Sequence, residues 1–174
     1  MTIVRLTSVL LLVIASAGCY TRRNAASNGP QLLTPSEAAA VVEGLRTFTA
    51  TVAHDVTQEG PLAWGKFFED NPAFFMAVNG QMAFPSGNAA RSGIQSVALA
   101  LKHVELKWGE DLRIDPLTPE LAVVAAPWHE IQIDSAGHRV EESGFFTGLA
   151  ELRDGRWQFR HAHWSSPVSR SPDR

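Results

Sequence analysis

A chain of 174 residues with a single cysteine can neither close an internal disulfide nor build a cysteine-based zinc site, so a buried core has to stabilise it. The length suits one domain with a sizeable interior. Fifteen lysines and arginines (15) face 18 aspartates and glutamates without forming a basic cluster, and this argues against nucleic-acid binding, which needs a positive face to neutralise phosphates.

Residues 1–18 read as an export signal: Arg5 precedes the uncharged, mostly apolar run Leu6–Ala17, and small residues follow. The run is shorter than the ~20 residues a spanning helix needs. The segment Ser16-Ala17-Gly18-Cys19 resembles the lipobox of bacterial lipoproteins, whose cysteine is acylated, although Ser16 stands where leucine is usual. That resemblance implies a membrane anchor through lipidated Cys19 and, with Tyr20 rather than aspartate next, a periplasm-facing domain held at the outer membrane. A plain secretory signal with an incidental thiol is the alternative. Residues 19–33 lack apolar periodicity and form a tether, the domain occupies 34–166, and 167–174 is a frayed tail.

Thr34-Pro35-Ser36-Glu37 is a capping box with proline at the first helical position, and Val41, Leu45, Phe48, Val52 and Val56 continue as one stripe until Gly60. His54 falls opposite the stripe and faces solvent; Asp55 lies on its flank. Pro61 starts a short second helix carrying Trp64, Phe67 and Phe68, and Asn79-Gly80 predicts a hairpin between Phe74–Val78 and Gln81–Phe84. Ser92 is the expected cap of a third helix that presents Ile94, Val97, Ala98 and Leu101 and ends near Lys102. The period then changes to two. Val104, Leu106 and Trp108 alternate, Gly109 marks a bulge before Leu112 and Ile114, and Ala122–Asp134 and Val140–Arg153 follow as long strands.

Asp154-Gly155 predicts a type I′ hairpin in which Leu152 pairs with Trp157, Ala150 with Phe159, Gly148 with His161 and Phe146 with His163. A four-residue turn at Ser135–His138 aligns His129 with Gly144, Ile131 with Glu142 and Ile133 with Val140. Under both registers His129, His161 and His163 share the apolar, concave side, whereas a one-residue slip dissolves the cluster.

This order of elements over 35–165, with Asp154-Gly155-Arg156-Trp157, His161-Ala162-His163 and Ser165 in the last strand and Gly93 after the first hairpin, resembles the nuclear transport factor 2-like superfamily and its SnoaL-like bacterial domains. The resemblance implies an α+β fold: a curved antiparallel sheet wrapped as a cone around the long N-terminal helix, with a pocket at the open end and commonly a dimer through the outer sheet face. Phe145 and Leu149 are the candidate dimer residues. Ketosteroid isomerase, an enzyme of that superfamily, works with a tyrosine and a protonated aspartate. Here the one tyrosine, Tyr20, precedes the domain, which argues against a steroid isomerase.

Two functions remain open. In the first, the cone binds a small apolar ligand or a partner without defined catalysis, lined by Trp64, Phe68, Phe75, His129, Glu142, Phe146 and Phe159. In the second, a SnoaL-like enzyme uses His161 and His163 for proton transfer on a small carbonyl compound. Each histidine also has a plain structural reading, as a ring donating to a backbone carbonyl or to a hydroxyl such as that of Ser165. Three imidazoles can make an open zinc site, but the third ligand depends on an inferred register, so neither metal nor cofactor is assigned.

Overall fold

The computed structural model describes residues 33–167. The export signal, Cys19 and most of the tether and tail lie outside the described residues. Helix α1 runs Pro35–Glu59, and its capping box is in place: the Glu37 amide donates to the Thr34 hydroxyl and the Thr34 amide to the Glu37 carboxylate. A short 3₁₀ helix (Pro61–Lys66), strands β1 (Phe75–Val78) and β2 (Gln81–Phe84), and helix α2 (Gly87–Ala100) follow. The remaining strands are β3 (Leu101–Trp108), β4 (Arg113–Thr118), β5 (Leu121–Asp134), β6 (Arg139–Arg153) and β7 (Arg156–Ser165).

The seven strands form one curved, unclosed sheet in the order β2-β1-β7-β6-β5-β3. Strand β4 shares the outer edge of β5 with β3: the first half of β5 pairs with β4 and the second half with β3. All neighbours are antiparallel except β1 and β7. The stripe of α1 expected from the sequence is the buried one, and it packs on the concave face. Phe48 meets Phe159 edge-on at 5.0 Å, and Phe159 meets Phe146 in the same way at 5.0 Å. Trp108 closes this core by donating its indole N–H to the carbonyl of Thr49 at 2.8 Å.

Four local expectations are corrected. Helix α2 begins at Gly87 with Ser86 as its cap, earlier than Ser92, and it ends before Leu101 and Lys102, which belong to β3. Gly93 therefore sits inside the helix, where the Phe84 ring occupies the space a Cβ would need. The bulge expected at Gly109 is a break between two strands, with the Gly109 amide donating to Pro127 and the Pro127 ring packed where a side chain would be.

The other two corrections are registers. The loop after β5 closes one residue tighter than expected: Asp134 donates to His138, and Gly137, at φ 93°, takes the left-handed conformation that a three-residue loop demands. His129 consequently pairs with Ser143, while Trp128 pairs with Gly144 and Glu130 with Glu142. On β7 the hairpin register holds from Arg156 to Phe159, then a bulge inserts Arg160, so that Leu149 pairs with His161 and Thr147 with His163. One extra residue reverses the alternation, placing Ala162 and Trp164 inside and both histidines outside.

Candidate functional site

Helix α1 does not reach the far end of the cone. A cavity of about 330 Å³ remains there between the 3₁₀ helix, the β1–β2 hairpin, α2 and the concave face of the sheet. Aromatic rings make its floor. Trp64 stacks on Phe68 at 5.3 Å and meets Trp164 edge-on at 5.4 Å, and Trp164 in turn meets Trp128 at 5.1 Å. Met76, Phe84, Ile94 and Val104 add aliphatic and aromatic walls.

The polar end comes from two strands. Trp128, Glu130 and Gln132 alternate along β5 with their side chains inward, and Glu142 of β6 lies directly opposite Glu130. The Gln132 amide nitrogen donates to the Glu130 carboxylate at 2.9 Å, leaving the amide oxygen of Gln132 as an acceptor. Burial pushes the Glu130 carboxyl above its ordinary value; the Gln132 hydrogen bond pulls it back and the facing Glu142 charge pushes it up again. Trp128, only 5% exposed, has an indole N–H with no acceptor among the described residues. Among the lining residues there is no lysine, arginine or histidine.

The candidate residues from the sequence divide into three groups. Trp64, Phe68 and Glu142 line the cavity. Phe146 and Phe159 are fully buried in the core packed by α1, where no space remains beside them. His129, His161, His163 and Phe75 are on the outer face of the sheet, carried there by the two register changes and, for Phe75, by its pairing with His161 across β1 and β7. His129 bonds to Glu141 at 2.7 Å. The His161 ring stacks on Phe75 at 4.2 Å, and its proton affinity is lowered first by desolvation and then by the neighbouring Arg160 charge. No group of three or more metal-ligating side chains occurs among the described residues.

Sequence reasoning passed over Glu130 and Gln132. Leu121–Trp128 is apolar at both parities, so the alternation could be assigned to either face, and Ile131 and Ile133 attracted the inward assignment. The usable signal was Trp128: counted inward as the largest apolar residue of β5, it carries Glu130 and Gln132 with it.

A helix-wrapped, unclosed sheet with this connectivity is shared by many solved structures. The fold is that of the nuclear transport factor 2-like superfamily. A nuclear transport factor 2-like protein from Salmonella enterica serovar Typhimurium superposes with a TM-score of 0.61 at 14% identity, over 80% of this chain and 96% of that one. Another, of unknown function from Shewanella oneidensis, gives 0.57 at 18% identity over 72% and 99%. A hexachlorocyclohexane dehydrochlorinase from Novosphingobium barchaimii gives 0.59 at 12% identity over 75% and 88%. At such identities the nuclear transport factor 2-like likeness is one of fold alone. No family model matches the chain, and neither does any curated protein.

Proposed function

We propose that this protein is exported, held at the outer membrane by an acylated Cys19, and binds a small, mainly apolar molecule in its cone. The observation carrying this reading is the cavity itself: about 330 Å³, aromatic on its floor and polar at one end. Small-molecule sites typically occupy ~300–1,000 Å³ and combine apolar walls with a few placed polar groups. Calorimetric titration with adamantanol, a compact neutral probe, tests it. The wild type should bind, and Ala83→Trp, which pushes an indole into the cavity from an exposed position on the wall, should weaken binding at least about tenfold while melting cooperatively. Absence of binding by the wild type, or equal binding by the variant, overturns the reading. Cys19→Ser should release the protein from membranes; undiminished attachment overturns the lipid anchor.

A second reading, that of a proton-transfer enzyme, is favoured by one observation. Glu130 is a carboxylate in an apolar cavity whose proton affinity is raised above its ordinary value, chiefly by burial, the direction that suits a group exchanging protons. The proton-transfer role expected of His161 and His163 passes to Glu130 on this reading, because both histidines face away from the cavity. Exchange of the α-hydrogens of cyclohexanone in deuterated water, followed by NMR, should be accelerated by the wild type and not by Glu130→Gln. Equal rates with the two proteins exclude it.

A further inference from the structure

We propose that the molecule held in the cone is an organic cation, an ammonium carried on an apolar body. This rests on the binding reading above and adds the chemistry of the occupant. Glu130 and Glu142 are cross-strand partners on one face, an arrangement that is unfavourable for like charges. Several acidic side chains of the domain have a basic neighbour: Asp55 has Lys66, Glu69 and Glu151 have Arg153, Glu105 has Lys107, and Glu141 has Arg139. Neither Glu130 nor Glu142 has such a partner among the described residues, although both line the cavity.

The polar end is rich in acceptors. Two carboxylates and the free amide oxygen of Gln132 offer nothing to an anion and bond well to an N–H donor bearing positive charge. Trp64, Trp128 and Trp164 line the same cavity, and indole is the aromatic ring that attracts a cation most strongly. The unpartnered N–H of Trp128 is the independent sign of an occupant. A buried donor without an acceptor is uncommon, and because Trp128 lines the cavity, the proposed occupant would supply that acceptor as an oxygen on its apolar body. An ammonium seated between the glutamates would relieve their repulsion as it binds.

The test compares three compounds of nearly equal shape, adamantylamine, adamantanol and adamantanecarboxylate, by calorimetric titration at neutral pH. The amine should bind about tenfold or more tightly than the alcohol, and the carboxylate least of all. Glu130→Gln and Glu142→Gln, which keep side-chain shape, should each narrow the gap between amine and alcohol, and the double variant should close it. If the alcohol binds as tightly as the amine, or the double variant keeps the preference, the cation proposal is overturned while the binding reading stands. If none of the three binds, both fall.

Discussion

Glu130 is the residue on which the chemistry of the cone turns. Its proton is held more tightly in the folded chain than in the unfolded one, so whatever stability it contributes is present at low pH and is lost as pH rises from its ordinary value near 4.5 through the raised folded value. Glu130→Gln should remove that decline, and above it the variant should be more stable than the wild type by ~0.2–1 kcal/mol, the usual size of a cross-strand charge effect. Urea unfolding at a series of pH values checks this; parallel curves for the two proteins would refute it. At this scale the sequence was partly legible. Trp64, Phe68 and Glu142 could be read as lining because a ring or carboxylate in those elements has one face to go to, whereas His161 and His163 could not, because Arg160 intervenes as a bulge that no local residue preference announces.

Among the elements, the strongly marked ones were read correctly. Thr34 to Glu37 begin α1 as a capping box, and Asn79-Gly80 and Asp154-Gly155 make their turns with positive φ at all four residues. What escaped was the start of α2, where Gly87 and Gly93 look like loop residues until tertiary packing is known. Gly87 lies against the backbone of Glu69 and Asn71, and Gly93 makes room for Phe84. Phe84 is also a wall of the cavity, so Gly93 connects helix packing to the site. Gly93→Ala should force that ring aside and destabilise the domain by about 1–3 kcal/mol, as overpacking does, and should weaken adamantanol binding as well. Denaturant melts and titration of the same variant read the two effects; unchanged values would mean that the ring yields freely.

For the whole molecule, the fold follows from matching a long apolar stripe to a sheet with one covered face, and that much the alternation of the strands conveyed. The depth to which α1 fills the cone was not readable, since it depends on how far Phe48, Phe146 and Phe159 extend together. The outer face bears Phe75 at 40% and Phe145 at 47% exposure beside a shallow hollow formed with Val123, Thr147 and Leu149. A second copy is the expected occupant of this surface. Sedimentation at micromolar concentration should give a dimer that Phe145→Lys dissociates, and a monomeric wild type would count against it.

The indoles of Trp64, Trp108 and Trp128 all lie within 6 Å of the ring of Trp164. Rings that close share their excited states, so light absorbed by any of the four is emitted from whichever has the lowest energy. Three of them also border the cavity, whereas Trp108 is tied to the helix backbone. The emission spectrum and the ultraviolet ellipticity of the protein are thus built-in reporters, and an arriving molecule would shift the colour of the whole cluster without any added dye.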